Sequence, residues 1–338
     1  EIIPAHEQCL SALDEIRGIA ISAIRQRESL IMLNALDSLK GFAFFYSTCK
    51  SKLPPLWFLL TKPIASDPDF VSVDIHKLHE IEAAQIWLEL KILRQYQSIF
   101  TDSLNQLREA CYIIGINTRE IGEKALYANK LEVAQLAIKF FNTYLRAVIN
   151  THDIRTGYNI LKQYRSMAEV AVITHHDSIA LEIANYFRYY SLLAYKANLF
   201  FLSETFAFDL GLLAQICCQN RSSVSLELLS VFLKIDQDPE SEQQENTLRG
   251  IRKSQAKLAA YYLKVENYNS AYLIYEDMKD EPLSRLYMIR DELRTTREDF
   301  WEFTDRGENF YFVEPDLLTY VDQFFSWFDH PSLIPQPS

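Results

Sequence analysis

The sequence predicts an all-α protein, built as a solenoid-like array of antiparallel helical hairpins. Apolar residues recur at helical rather than alternating spacing through most of the chain. Glycine and proline, which punctuate β-rich and α/β folds, number only 8 and 11 in 338 residues. The hydrophobic share of 49% is enough to bury a substantial core. We therefore expect helix pairs that stack in chain order.

The N-terminal part predicts a helical hairpin followed by a proline-rich connection. Two helices are expected between His6 and Lys50, with a break at 27–29. Four prolines between residues 54 and 68 then predict a packed, extended connection, and the alternative is a contact with a partner or a membrane surface. A long amphipathic helix is expected from Asp74 to Ile114, with an interruption near Phe100 to Ser103 left open. Asn117 with Glu120 predicts the start of the next helix as a capping box. This organisation predicts three regions, 1–73, 74–235 and 236–338.

Small residues at a constant separation indicate further hairpins. Gly122 and Ala134 occupy such positions in the predicted hairpin at 119–149, and Ala168 and Ala180 repeat the separation. The most apolar stretch follows at 197–219. Its two acids would be costly in the middle of a bilayer, so it is predicted to be a buried core helix.

The C-terminal third contains an acidic loop, a hairpin and an aromatic region. The segment at 236–246 carries five acids and no base, which predicts a solvated loop. Pro282 suits the first turn of a helix that ends near Arg294, and Pro315 is expected to open the last helix. The aromatic residues after Phe300 are interpreted mainly as core.

Residues 252–283 spell out a helical hairpin most fully. Its characteristic positions are Leu258, Ala259 and Tyr262 on the first helix, Tyr268 after a short polar break, and Ala271 and Tyr275 on the second helix. These residues resemble the tetratricopeptide repeat, in which a large apolar residue, a small residue and a tyrosine meet a tyrosine, a small residue and an aromatic. Gln255, Met278 and Pro282 depart from that pattern. The resemblance implies a concave groove lined by the first helix.

The predicted contact residues lie on this first helix. Arg249, Lys253 and Lys257 repeat every four residues and form one basic stripe. The resemblance implies that Lys253 faces the groove together with Ala256, Ala260 and Leu263, and that lysines there clamp acidic peptides. The alternative is a solvated face that Glu242 and Glu245 neutralise.

Two acids of the apolar helix form a second candidate site. Glu204 and Asp209 are costly to bury unless they are paired, and buried carboxylates often mark functional sites. Five residues separate them, so they do not share one helical face. The structural alternative pairs Glu204 with Arg188 or Tyr190 and locks two helices together.

Two histidine groups provide minor candidates for metal binding. His76 and His79 lie one helical turn apart near acidic residues, but they would need a third ligand from elsewhere in the fold. His175 and His176 fall at a predicted helix junction, where Asp177 is expected to cap the next helix. Ordinary helix termini explain both groups more simply.

Composition limits the classes of partner. The net charge of -11 argues against a nucleic-acid binder, because neutralising phosphates needs a broad basic surface. Scattered cysteines without metal-type spacing predict reduced thiols and a cytoplasmic location. No signal peptide or transmembrane run is visible, but the chain opens without Met, so an upstream membrane anchor is left open.

The function predicted from these features is a protein-protein interaction scaffold or adaptor. It would dock an acidic peptide or helix in a concave groove, and could be the cytoplasmic part of a larger protein. No phosphate-binding glycine loop or serine elbow is present, so no cofactor is predicted and a non-enzymatic role is favoured. The alternative is a helical enzyme or a ligand-binding sensor, membrane-associated or not, with a pocket around Glu204 and Asp209.

Overall fold

The computed structural model describes the backbone of residues 2–52, 75–104, 106–234, 242–294 and 315–335. Side chains are described for residues 11–43, 86–104, 106–234, 248–294 and 316–335. All regular structure in these ranges is helical, which confirms the all-α prediction. The predicted region boundaries, after residues 73 and 235, fall outside the described ranges.

The described part of the chain contains helices of 9 to 29 residues. They are α1 (Ile2–Gln26), α2 (Ser29–Lys52), α3 (Ile75–Ser103), α4 (Arg108–Tyr127), α5 (Leu131–Thr151), α6 (Ile154–Ile173), α7 (Asp177–Lys196), α8 (Phe200–Gln219), α9 (Ser225–Leu233), α10 (Glu242–Lys264), α11 (Tyr268–Met278), α12 (Leu283–Arg294) and α13 (Leu318–Asp329). Short 3-10 helices at Pro315–Leu317 and Pro331–Leu333 flank α13.

The chain packs as two compact units. The first comprises residues 1–148 and 162–167, and the second comprises 149–161 and 168–338. In the first unit α1 packs on α2 and α3, and α3 packs on α4. In the second unit α8 packs between α7, α9 and α10, while α10 also contacts α11, α12 and α13.

The first unit encloses a buried polar link within an aromatic core. The Tyr96 hydroxyl donates to the Leu36 carbonyl at 3.0 Å and accepts from Asn117 Nδ2 at 3.1 Å. The Phe100 and Tyr144 rings stack beside it, with centroids 4.0 Å apart. The capping role predicted for Asn117 and Glu120 is therefore wrong, since both residues lie inside α4 and Asn117 uses its amide to hold the core.

Helices α4 to α8 start at a constant interval along the chain, which is not obvious from the sequence. They begin at Arg108, Leu131, Ile154, Asp177 and Phe200, each 23 residues after the previous start. The fourth residue of each helix is small and buried: Cys111, Ala134, Gly157, Ala180 and Ser203. The fifteenth is buried too and, except for Leu145, small: Gly122, Leu145, Ala168, Ser191 and Ala214. Small side chains let neighbouring backbones approach closely, as the hydrogen bond from Ser191 Oγ to the Ser203 carbonyl at 2.9 Å illustrates.

Seven helix junctions in the described part of the chain share one backbone feature. A residue other than glycine, with φ between 52° and 59°, ends the helix at each of them. These residues are Arg27, Asn129, His152, His175, Asn198, Arg221 and Glu266. At the last of them Glu266 N donates to the Leu263 carbonyl at 3.1 Å, and Asn267 N donates to the Tyr262 carbonyl at 2.8 Å. This is the Schellman arrangement, which satisfies the last carbonyls of a helix.

The turn residue Glu266 provides a stability test. We expect Glu266→Gly to raise the free energy of unfolding by about 0.5–1 kcal/mol, because glycine adopts a positive φ without the Cβ clash of other residues. Glu266→Ala is the matched control, since alanine keeps the Cβ. Urea unfolding followed by circular dichroism measures both. Equal effects of the two substitutions would contradict this account of the turn.

Helix α8 is the apolar centre of the second unit. By length and composition it is the one helix of the described residues that could cross a membrane, and 67% of its most apolar window is buried inside the protein. Phe206 and Leu210 are fully buried, and Phe206 packs on Phe187 of α7 with ring centroids 6.0 Å apart. The burial agrees with the predicted core helix.

Helices α10 and α11 form the hairpin that the sequence predicts. The break between them falls at Val265–Asn267, and Asn267 caps α11 by accepting from Ser270 N at 3.2 Å. Ala259 and Ala271 are fully buried where the two helices pack. The aromatic residues near the C-terminus were predicted to be core, and in the described part Phe324, Phe325 and Trp327 of α13 are buried.

Candidate functional site

The structure unites two of the predicted sites. Glu204 of α8 and the basic residues Arg249 and Lys253 of α10 belong to one charge cluster, because both cations act electrostatically on the Glu204 carboxyl. The fourth member is Glu292 of α12, which lies 3.5 Å from the Arg249 guanidinium and forms an ion pair with Lys253. We call these four residues the charge cluster. Sequence reasoning treated its acid and its bases as separate candidates.

A glycine positions Glu204 in the cluster. Gly250 lies inside α10 and is buried, and a Cβ atom there would overlap the Glu204 carboxyl group and lie 2.8 Å from its Cγ. The carboxyl group therefore rests on the bare backbone of α10, one residue after Arg249. Because an isolated glycine costs a helix about 1 kcal/mol relative to alanine, its presence at this position has a packing reason.

Burial makes the Glu204 carboxyl a weak acid. Loss of solvation raises its pKa to about 7, although Lys253 and Arg249 oppose the rise. Between pH 4.5 and pH 7 the folded state holds a proton that the unfolded chain has lost. Protonation of Glu204 therefore contributes fully to stability below pH 4.5, and this contribution is lost as pH rises through 7. This proton is the chemical property that distinguishes the cluster from an ordinary surface ion pair.

Glu204 should therefore make stability depend on pH. Between pH 6 and pH 8 we expect this group to lower the free energy of unfolding by about 1.4 kcal/mol. Glu204→Gln should remove this contribution to the pH dependence of stability and leave the contributions of other groups unchanged. Urea unfolding at pH 6, 7 and 8 for both proteins measures the difference. Parallel slopes for the two proteins would show that Glu204 does not titrate in this range.

The third residue of the basic stripe lines a groove between α8 and α10. The Lys257 ammonium lies 5.9 Å from the centre of the Phe208 ring. The groove is a small recess that opens to solvent. Its walls are Phe208, Gly211, Leu212 and Gln215 of α8 and Ser254, Lys257 and Leu258 of α10. We call it the α8–α10 groove.

The other predicted contact residues face inward. Ala256 and Ala260 are fully buried and Leu263 is 2% exposed, so these three do not line an open surface in this structure. They lie on the part of α10 that packs within the second unit. The neutralising partners expected at Glu242 and Glu245 have side chains outside the described ones, and Glu292 fills that role in the described part.

Arg188 contacts the end of α9 instead of Glu204, and Asp209 is buried on α8. Arg188 Nε donates to the Lys234 carbonyl at 3.1 Å, which ties α7 to the end of α9 and differs from the predicted pair with Glu204. Tyr190 stacks on Phe206 instead, with ring centroids 5.9 Å apart. Asp209 is 1% exposed. The sequence therefore identified Glu204 as unusual but assigned its partners wrongly.

The histidine candidates lie at helix ends. His175 is exposed and occupies the positive-φ turn after α6, while His176 immediately precedes α7. Asp177 is the first residue of α7, and its carboxylate accepts from the Ser222 hydroxyl at 2.9 Å and from Ser223 N at 3.1 Å. The hydrogen bond from the Ser223 hydroxyl is the main cause of a lowered Asp177 pKa. Asp177 therefore fastens the turn between α8 and α9, instead of capping its own helix.

Among the residues that the structure describes, no three His, Cys, Asp or Glu residues converge in a metal-binding group. The side chains of His76 and His79 lie outside the described ones.

A second charged network on α10 escaped sequence reasoning. Arg252 Nε donates to Glu281 Oε1 at 2.9 Å, and Arg252 Nη1 donates to Gln255 Oε1 at 2.7 Å and pairs with Asp277. Gln255 Nε2 in turn donates to Asp277 at 3.0 Å, and Arg285 donates to Glu281 at 2.7 Å. We call these five residues the Arg252 network. Gln255, which departs from the tetratricopeptide pattern, could have signalled it, since a polar residue at a core position needs partners.

The fold and its 23-residue period define the class: an all-α protein with a helical repeat. No family model and no curated protein matches the chain. Among solved structures it is similar to one described as a circular tandem repeat protein with novel repeat topology and enhanced subunit contact surfaces. That similarity has a TM-score of 0.44 and 12% identity, over 95% of this chain and 83% of the other.

Proposed function

We propose that the chain is a scaffold or adaptor that docks a peptide or helix with acidic side chains in the α8–α10 groove. The observation that carries the proposal is the position of Lys257, which places an ammonium group over an aromatic ring at the groove. A basic site of this kind is distinctive in a chain with a net charge of -11. Helical-repeat proteins commonly bind partners on such surfaces between helices.

The groove offers complementary chemistry to an amphipathic acidic segment. Leu212 of α8 is half-buried and supplies apolar contact area, while Phe208 at 7% and Leu258 at 2% exposed form the floor of the groove. Gln215, also half-buried, supplies a hydrogen-bonding group beside Lys257. A carboxylate of the partner would pair with Lys257 while a neighbouring apolar side chain packs on Leu212. This is the helix-in-groove mode of recognition with one charged anchor.

The tetratricopeptide resemblance agrees with the packing of the α10–α11 hairpin, whereas three of the groove contacts that it implies are buried. In that family the first helix of each hairpin lines the groove, and α10 occupies the corresponding place here. Ala259, Tyr262 and Ala271 are fully buried, which suits the packing roles that the resemblance implies. The three buried residues predicted as groove contacts, Ala256, Ala260 and Leu263, would then position α10 instead of touching the partner.

Charge reversal at Lys257 tests the proposal. The probe is a fluorescein-labelled hexapeptide in which each pair of glutamates is followed by one leucine. Its binding is titrated by fluorescence anisotropy. We expect Lys257→Glu to weaken binding at least about tenfold, because an attractive pair becomes a repulsive one. A hexapeptide with lysines in place of the glutamates should bind the variant more tightly than it binds the wild-type protein.

Lys139→Glu is the matched control. Lys139 is exposed on α5, and its reversal changes the net charge by the same amount. This variant should retain wild-type affinity, so a loss specific to Lys257→Glu identifies the groove. Equal losses in both variants would mean that only the total charge matters, and no binding of the acidic peptide to the wild-type protein would refute the proposed docking.

A further inference from the structure

The charge cluster lies on the same helix as the groove lysine. Lys253 is one helical turn before Lys257, and Arg249 is one turn before Lys253. Two cations and two carboxylates balance in the cluster when Glu204 is ionised. Any acid that docks along this stripe enters a site where an internal carboxylate already interacts with the cations.

The surroundings of Glu204 restrict how it can respond. Its carboxyl group rests on the backbone at Gly250 of α10, with Lys253 and Arg249 from that helix and Glu292 from α12 acting on it. Of the other helices packed on α8, α7 contributes Arg188, which bonds to the Lys234 carbonyl, and the buried Tyr190. Helix α9 contributes Glu227, which is exposed.

We propose that docking of an acidic partner on this stripe is coupled to protonation of the Glu204 carboxylate. The inference rests on the proposed function and names its regulation. A partner carboxylate near Lys253 and Arg249 competes with Glu204 for the same cations. Glu204 relieves the repulsion by taking a proton from solvent, so one negative charge enters and one is neutralised.

The direction of the coupling follows from linkage. Because binding of the partner favours protonated Glu204, protonation of Glu204 favours binding to the same extent. Affinity therefore increases as pH falls. The burial of the carboxyl, which raises its pKa to about 7, places the change between pH 8 and pH 6. If binding raises the pKa of Glu204 by about one further unit, affinity for the partner increases about fivefold from pH 8 to pH 6.

The test compares binding of the acidic hexapeptide at pH 6 and pH 8. Wild-type protein should bind about fivefold more tightly at pH 6, and Glu204→Gln should bind with nearly equal affinity at the two values. Glu132→Gln is the matched control, because Glu132 is exposed on α5, and it should keep the wild-type ratio. Circular dichroism establishes that each variant is folded.

Calorimetry provides a readout that needs no variant. Titration of the wild-type protein at pH 7 in two buffers of different ionisation enthalpy should reveal uptake of about 0.4 protons per peptide bound. Binding without proton uptake, or with the same pH ratio in wild-type protein and Glu204→Gln, overturns the coupling and leaves the docking proposal standing. No binding at either pH overturns the docking itself.

Discussion

Replacing Arg252 with alanine should lower the free energy of unfolding by about 3 kcal/mol. The Arg252 side chain is 17% exposed and its partner Glu281 is 10% exposed, so both charges are largely removed from water. Removing one member of a buried pair typically costs 3–5 kcal/mol, and the expected loss lies at the lower end because Arg285 still pairs with Glu281 at 2.7 Å. Gln255 and Asp277 would lose hydrogen bonds in the same step.

Two further variants separate charge from geometry at this position. Arg252→Lys keeps the positive charge but lacks the planar fork that reaches Glu281, Asp277 and Gln255 together, so an intermediate loss is expected. Arg294→Ala is the control, because Arg294 is 52% exposed and lies 3.5 Å from Asp322, and it should change stability by less than about 0.5 kcal/mol. Urea unfolding measures all three. Similar small losses would mean that the network contributes little.

Replacing Gly250 with alanine should lower stability by about 2 kcal/mol. A Cβ atom would occupy the space of the Glu204 carboxyl and force it away from Lys253 and Arg249. Elsewhere in a helix the same substitution is stabilising. At Gly18 of α1 no atom lies within 4 Å of the added Cβ, so Gly18→Ala should raise stability by up to about 1 kcal/mol.

A double-mutant cycle identifies the cause. In a Glu204→Ala background the space above Gly250 is vacated, so Gly250→Ala should no longer destabilise the protein. The expected coupling between the two positions is therefore about 2 kcal/mol. Additive effects would show that Gly250 is required for a reason other than the Glu204 carboxyl.

Helical periodicity predicted the helices well but misplaced one boundary. The predicted break near Arg27 and the helix after Pro282 agree with the structure. The start predicted at Asn117 was wrong, because a capping motif is a local signal and the next helix already begins at Arg108. Helix α3 ends at Ser103, at the interruption that the sequence left open near 100–103. The Asn117 side chain bonds instead to Tyr96, a partner that local sequence does not reveal.

The 23-residue period was only partly visible in the sequence. Gly122 with Ala134 and Ala168 with Ala180 were recognised, because glycine and alanine are obviously small. Ser191 and Ser203 have the same separation and meet through a hydrogen bond, but serine is also common on surfaces. The repeat preserves the size and the burial of the side chain at each position. Several residue types meet both requirements, so residue identity alone does not display the period.

The charge cluster shows what a single sequence lacks. Glu204 was recognised as an acid in an apolar helix, but its partners lie more than forty residues further along the chain. Gly250 was a usable signal, since a glycine within a helical pattern indicates close packing against something. The identity of that neighbour depends on how α8 and α10 pack, and this follows from the tertiary fold.

Hydrogen-deuterium exchange in the presence of the acidic hexapeptide tests the central claim most directly. If the peptide docks in the α8–α10 groove, exchange should slow in residues 208–215 of α8 and 254–258 of α10, and the slowing should be lost in Lys257→Glu. Slower exchange confined to other helices, such as α4 and α5, would place the binding surface elsewhere and contradict the account.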